Sequence, residues 1–489
     1  MKLDRITLAY FIGIGGIGMS ALARYFNARS VQVSGYDRTA TPLTRELEGE
    51  GMQIHYEPKP EELPEGEDVL FVYTPAVPTD FPELAVLRER NTQVYKRAEV
   101  LGLISQDRRC IGIAGTHGKT TTTTLTTKLL STAELQPSAF LGGIAKDFDG
   151  NYVHGQSDLV VVEADEYDRS FLQLQPEIAV ILSIDPDHLD IYGDHGKMLD
   201  SGFRAYAKQV KEDGLLLVRH DLADQIGDHQ ARQLTFGLGA GDYNAHNLRV
   251  VEGAFEFDLK TSAGGGIPRM PTSRATASSR SSGMDTASVG GELKIGNKDG
   301  IIRGLRLPLP GRHNVENATA AAAVALELGA APESVKAGLA TFSGISRRFE
   351  IRLHNKETVI VDDYAHHPTE LEATISAARE FYPDRTIRGV FQPHLYSRTR
   401  DFAEGFAKAL SELDEVILLP IYPARELPMV GVDSRLIFDK ISGTKKRLLD
   451  KEDLLNVLPQ LREGVLLLMG AGDIDALVDP IVNQFKTLS

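Results

Sequence analysis

The 489-residue chain has no tryptophan and one cysteine, Cys110. A single thiol rules out an internal disulfide framework and fits a reducing cytoplasm, the compartment expected here. Cys110 directly precedes the apolar residues 111–114, so a buried thiol is expected there rather than a nucleophile. Positive charge is in short supply: 53 Lys and Arg stand against 68 Asp and Glu, a net charge of −15. That balance argues against a general nucleic-acid partner or an anionic membrane surface, and serves solubility. The N-terminus lacks the basic-then-apolar order of a secretion signal, and no apolar run approaches the roughly 20 residues that span a bilayer. What remains is an ordinary globular composition, 42% hydrophobic, with length enough for about three domains.

The most informative stretch is Ile111-Gly112-Ile113-Ala114-Gly115-Thr116-His117-Gly118-Lys119-Thr120, followed by further threonines through Thr124. A strand-like run feeds a glycine loop that opens a helical pattern. That is the layout of a phosphate cradle: backbone N–H groups and the helix dipole face a polyphosphate, Lys119 reaches its outer phosphates, and the Thr120 hydroxyl can hold Mg²⁺. The loop is the shortened form Gly115-x-x-Gly118-Lys119-Thr120, because position 113 is Ile where the longer motif has glycine. ATP is the expected ligand.

Residues 1–107 alternate strand and helix patterns. Residues 6–12 read as a strand, Gly13-Ile14-Gly15-Gly16-Ile17-Gly18 as a glycine turn, 19–26 as a helix start, and 31–36 as a strand ending at Asp37. Read from the residues alone, this is a dinucleotide fingerprint with an acid near the distance for a ribose hydroxyl, and a nicotinamide enzyme is a real rival. In residues 108–345, the buried run 159–162 ends in Glu163-Ala164-Asp165-Glu166, and 178–184 ends in Asp185-Pro186-Asp187-His188-Leu189-Asp190. Apolar runs that end in acids suit a parallel sheet whose ligands lie beyond the strand ends. Glu163 is a natural Mg²⁺ partner, and His188 a further candidate ligand. Asn314 and Asn317 lie on the first turns of an alanine-rich helix, where they either cap it or offer amides to an adenine. Arg347-Arg348 stands at the junction to the third segment, 346–489, again α/β. Residues 262–291, rich in Ser, Gly, Ala and Thr, are expected to form a flexible insertion at a hairpin tip.

Taken in order, the Gly115–Thr120 loop, Glu163-Ala164-Asp165-Glu166, Asp187-His188-Leu189-Asp190, Gly311-Arg312-His313-Asn314-x-x-Asn317 and Asp363-Tyr364-Ala365-His366-His367-Pro368-Thr369-Glu370 resemble the motifs of the Mur ligases. These are the ATP-dependent amino-acid ligases of peptidoglycan synthesis. The likeness runs nearly end to end, apart from 262–291. Phe391-Gln392-Pro393-His394-Leu395-Tyr396-Ser397-Arg398-Thr399-Arg400 resembles the branch that couples L-alanine to UDP-N-acetylmuramate, with Leu395 departing from a pattern that has arginine there.

The resemblance implies three α/β domains. The N-terminal one, 1–107, would be Rossmann-like and bind the UDP-sugar. The central one, 108–345, would be a P-loop ATPase-type parallel or mixed sheet. The C-terminal one, 346–489, would be Rossmann-like and take the amino acid and part of the ATP. It also resolves the first glycine turn toward UDP: Gly15, Gly16, Ile17 and Gly18 would lie against the diphosphate, with Asp37, Thr74 and Ala76 completing that site. ATP would meet the loop Gly115, Thr116, His117, Gly118, Lys119, Thr120 and Thr121. Asn314, Asn317, Arg348 and Asp363 would contact it from elsewhere. Thr120, Glu163 and His188 would hold one or two Mg²⁺ ions, and Tyr364, His394 and Arg398 would form the L-alanine pocket. Catalysis would rest on Lys119, Glu163, His188 and Arg398. No nucleic-acid or membrane partner is implied, and the chain would be a monomer or homodimer. Two alternatives stand beside this reading: a ligase that attaches a whole recycled peptide to the same UDP-sugar, and a nucleotide-binding protein without turnover.

Overall fold

The computed structural model describes residues 3–185, 195–261, 300–424 and 426–488. His188, Arg425 and the proposed insertion 262–291 lie outside the described residues. The chain divides into two compact units. One comprises Met1–Leu248, Glu256–Leu307 and Glu316–Ser343; the other comprises Arg249–Phe255, Pro308–Val315 and Gly344–Ser489.

The first unit carries a five-stranded sheet in the order Gln53–His55, Gln32–Tyr36, Leu8–Ile12, Val69–Tyr73, Val94–Lys96. All of its pairings are parallel. The chain starts at the centre and winds outward to one edge before crossing to the other, so a crevice opens beyond the end of Leu8–Ile12, where the glycine turn lies. The helix Ile17–Asn27 follows, burying Met19, Leu22 and Phe26 against the sheet. The strand begins at Leu8, two residues later than the apolar run suggests.

Among the described residues, a second sheet has ten strands, with Arg109–Ala114 between Ile178–Ile181 and Leu159–Ala164, parallel to both. These three are almost wholly buried, as in a sheet covered on both faces. The order changes direction at Arg109–Ala114, and the phosphate-loop sequence leaves that strand at this switch point. The sheet is mixed, because Ser138–Ala145 pairs antiparallel with Gly150–Val153. Cys110 is buried, and burial pushes its thiol up to about 12, so it is an inert core group.

The second unit holds a six-stranded sheet: Glu350–His354, Thr358–Asp363, Gly464–Met469, Ile387–Phe391, Glu415–Leu418, Lys445–Leu448. Only the first pair is antiparallel. Thr358–Asp363 and Gly464–Met469 are buried along their whole length, and helices including Pro368–Phe381 and Tyr396–Leu410 close over them. The three-sheet α/β architecture read from the sequence is therefore present.

Candidate active site

Gly118 is the N-cap of the helix Lys119–Thr132, with φ +82°, a conformation that side chains with a Cβ rarely adopt. A Cβ there would also lie 2.5 Å from Asn317 Oδ1, which places Asn317 against the loop. The threonines of this helix from Thr120 to Thr127 are buried, and two of their hydroxyls find partners one turn back: Thr124 Oγ1 donates to Thr120 O at 2.8 Å and Thr127 Oγ1 to Thr123 O at 2.7 Å. Ser183, one strand away, clasps the loop. Its carbonyl accepts from Thr116 N at 3.2 Å, and its hydroxyl accepts from His117 N at 2.8 Å and meets Thr116 Oγ1 at 2.9 Å.

At the mouth of the loop, the Thr120 hydroxyl lies 3.1 Å from both oxygens of Glu163. Two oxygen donors this close to a phosphate cradle suit Mg²⁺, which takes few protein ligands and fills its shell with water and phosphate oxygens. Room for the Glu163 carboxylate comes from the next strand, where a Cβ on Gly142 would overlap it. Lys119 Nζ donates to Gly115 O at 2.7 Å and to Glu166 at 2.7 and 2.9 Å. Burial pulls the lysine pKa down, but Glu166, Asp165 and Glu163 outweigh it and hold the ammonium above its ordinary value.

The first glycine turn opens into the same unit. Gly16, Ile17, Gly18, Met19, Thr74, Arg97, Gly142, Glu163 and Asp165 share the lining of one cleft of about 360 Å³. The turn and the candidate metal carboxylate therefore face one space. Asp37 sits behind the turn: its Oδ2 accepts from Gly15 N at 2.8 Å and its Oδ1 from Thr39 N at 3.2 Å. It braces the backbone here. Ala76 is exposed in the segment after Val69–Tyr73 and is not part of the cleft lining.

In the second unit, the buried Asp363 accepts from Phe349 N at 2.7 Å and from Ala365 N at 2.8 Å. Burial raises its pKa, with Arg348 and those two N–H groups opposing. Arg348 and Arg347 lie over the Tyr364 ring, at 5.5 and 5.1 Å from its centroid. From Tyr364 a row of rings runs through His366 (5.2 Å) and His394 (6.0 Å) to Tyr422 (5.8 Å). Tyr364 and His394 are thus brought together, with two rings between and beyond them that were not assigned as site residues. Arg398 lies in the first turn of Tyr396–Leu410, half-buried and with no hydrogen-bond or ion-pair partner among the described residues. Its neighbour Arg400 is exposed and paired with Asp401 at 2.7 Å. Leu395, the residue before that helix, has φ +70° and donates its N–H to Tyr422 O at 2.9 Å. Asn314, in the first turn of the helix Arg312–Glu327, donates its amide N–H to Pro310 O at 2.6 Å.

Sequence reasoning missed Ser183, Gly142, Arg97 and Glu166. None stands in a pattern of its own; Glu166 belongs to the Glu163–Glu166 motif, which assigns it no separate role.

Fold and site define a class: an α/β nucleotide-binding enzyme with a phosphate loop at the switch point of its central sheet. The chain belongs to the Mur ligase family. Residues 8–109 match the model described as Mur ligase family, catalytic domain; 113–325 match the Mur ligase middle domain; 347–472 match the Mur ligase glutamate ligase domain. The UDP-N-acetylmuramate–L-alanine ligase of Christiangramia forsetii is 44% identical over 485 residues, covering 98% of each chain. That of Cytophaga hutchinsonii is 44% identical, covering 98% of this chain and 97% of its own. Among solved structures, the UDP-N-acetylmuramate–alanine ligase of Thermotoga maritima superposes with a TM-score of 0.76 at 27% identity, covering 98% of this chain and 99% of that one. A murein peptide ligase from Psychrobacter arcticus reaches 0.67 at 19% identity, with 98% of each chain covered, a likeness of fold alone.

Proposed function

We propose that this chain is the ATP-dependent ligase that joins L-alanine to the lactyl carboxylate of UDP-N-acetylmuramate in peptidoglycan synthesis. The carrying observation is the single cleft shared by the first glycine turn, suited to a sugar-nucleotide diphosphate, and by Glu163 beside the phosphate loop. The near full-length likeness to ligases of that name supports the same reading. Residues 1–107, 108–345 and 346–489 are the proposed UDP-sugar, ATP and amino-acid domains, and the cytoplasm is the proposed compartment.

The lactyl carboxylate attacks the γ-phosphorus of ATP, ADP departs, and an acyl phosphate forms. The alanine amine then attacks the acyl carbon, inorganic phosphate departs, and the amine sheds its proton. A carboxylate lacks a good leaving group, and phosphorylation supplies one. The protein chiefly positions and neutralises. Lys119 takes up charge on the transferring phosphoryl group, and the loop N–H groups hold the phosphates. Thr120 and Glu163, with His188 as a further candidate, would hold Mg²⁺, whose contribution when bound is to neutralise phosphate oxygens. Arg97 meets the anionic UDP-sugar from the far side of the first turn. Arg398, still unpaired, grips the alanine carboxylate, with His394 and Tyr364 shaping the pocket. Asn314, Asn317, Arg348 and Asp363 are the proposed remaining ATP residues.

The test is phosphate release with ATP, Mg²⁺ and UDP-N-acetylmuramate, scanned across single amino acids and the wall-derived peptide. Release is expected with L-alanine, and more slowly with glycine or serine, since one methyl group discriminates by only about 1–3 kcal/mol. Faster release with the peptide than with L-alanine would establish the recycling activity instead.

A further inference from the structure

All three donors of Lys119 have partners within the protein. An ammonium has three donors, and this one meets the Gly115 carbonyl and both oxygens of Glu166. Glu166 is completely buried. A carboxylate taken out of water is costly unless an opposite charge and hydrogen bonds compensate. The pair is therefore a built feature of the interior, unlike a solvated surface contact.

The backbone that presents Glu166 is itself tied down. It leaves the strand Leu159–Ala164, which pairs in register with the strand that feeds the loop. Tyr167 N donates to Asp165 Oδ1 at 3.1 Å, Arg169 N to Glu166 O at 3.0 Å, and Phe171 N to Asp165 O at 2.9 Å. The strand end and the turn after it thus deliver two carboxylates to two consecutive residues at the helix start: Glu163 to the Thr120 hydroxyl and Glu166 to the Lys119 ammonium. Glu163 has the oxygen-donor role considered above. Glu166 points to something different, because an anion that grips the phosphate-binding lysine competes with the phosphate.

We propose that Glu166 is the positioning residue of Lys119: its buried carboxylate aims the ammonium along the loop and must yield part of its grip when a polyphosphate enters. Nucleotide binding is then an exchange of one anion for another on Nζ. The chain gives up some ground-state affinity and gains a lysine held in line for the transferring phosphoryl group. The proposal rests on the phosphate-binding reading of the loop.

The experiment uses the full chain and two readouts: Mg-ADP binding by calorimetry without the other substrates, and steady-state phosphate release with all of them. Glu166→Gln keeps size and hydrogen-bonding shape but removes the competing charge. Mg-ADP is expected to bind about threefold or more tightly, while turnover falls about tenfold or more as the lysine loses its aim. Opposite movement of the two constants is what a merely structural residue would not produce. Glu166→Asp keeps the charge and withdraws it by one methylene. It should leave Mg-ADP affinity within about twofold and still lower turnover, and it decides the matter if the glutamine variant does not fold. Both constants within twofold of wild type, or both falling together in a folded variant, overturn the proposal. Lys119→Ala separates the two ideas: if it binds Mg-ADP like wild type, the loop reading fails, whereas weakened binding there with no effect at Glu166 defeats only the positioning role.

Discussion

The turns at Gly13–Gly18 and Gly115–Thr120 follow one plan and diverge in charge. Each leaves a parallel strand at the switch point of its sheet, opens a helix, and is tied to residues at or just beyond the end of the adjacent strand. In the first, Gly13 N and Ile14 N donate to Tyr36 O at 2.8 and 3.0 Å, and Gly15 N donates to the Asp37 carboxylate. In the second, the neutral Ser183 holds the backbone and Lys119 stands in front. A turn with a carboxylate behind it and no lysine of its own is poorly made for a triphosphate. It must borrow positive charge, and Arg97 lies close enough that a Cβ on Gly18 would sit 2.7 Å from its Nη1. The same local geometry thus serves two ligands, and the side chains around each turn decide which.

The largest effect is expected from Lys119→Ala. Removing the charge in front of the second turn should cut turnover on the order of 10³-fold, with the circular dichroism spectrum unchanged. Retention of a tenth of wild-type turnover would erase the distinction between the turns. Gly16→Val tests the first turn. A Cβ there meets nothing nearer than Gly13 O at 3.6 Å, and the backbone, φ −65° and ψ 142°, is one that valine adopts readily. The fold should survive while the KM for the UDP-sugar rises on the order of 10²-fold, because the methyls occupy the space a diphosphate needs. The KM for ATP should hold; if both rise, the turns are not separate sites.

Arg97→Ala should raise the UDP-sugar KM about tenfold, the worth of one charged hydrogen bond, and an unchanged KM would mean that the first turn borrows its charge elsewhere. The smallest effect is a control outside both turns. Asp362 is buried, and burial lifts its carboxyl to about 6, against the opposing pull of Arg347. A folded-state value above the unfolded one means that the protonated acid is the stabilising form. Its contribution is full below about pH 4 and lost as pH rises through about 6. Asp362→Asn should therefore raise stability to urea at pH 7.5 by about 1–3 kcal/mol, with the gain fading toward pH 4. Equal gain at both pH values would show that charge burial is not the cause.

The strand-turn-helix succession of both glycine loops was legible because everything that defines it is local: an apolar run, glycines where φ is positive or the backbone is crowded, and a helical pattern after. Lys119, Thr120 and Glu163 could be picked out as candidates because each stands at the end of a glycine loop or of an apolar run. Ser183, Gly142 and Arg97 could not, since their roles exist only across strands or between sheets. Asp37 shows how much a motif leaves open. Its spacing suggests a ribose contact, while both of its oxygens meet backbone N–H groups. Nor does a periodicity of apolar residues tell that Glu350–His354 runs antiparallel on an otherwise parallel sheet, because an edge strand of five residues looks alike in either direction.

The hollow that receives the Glu163 carboxylate has a consequence for anyone who would move this machinery. The hollow is a missing side chain, Gly142, twenty-one positions earlier in the chain. The two positions are coupled: bulk at 142 would push the Glu163 carboxylate off its place beside Thr120, so a designer who transplants the loop and its acid must carry that vacancy along.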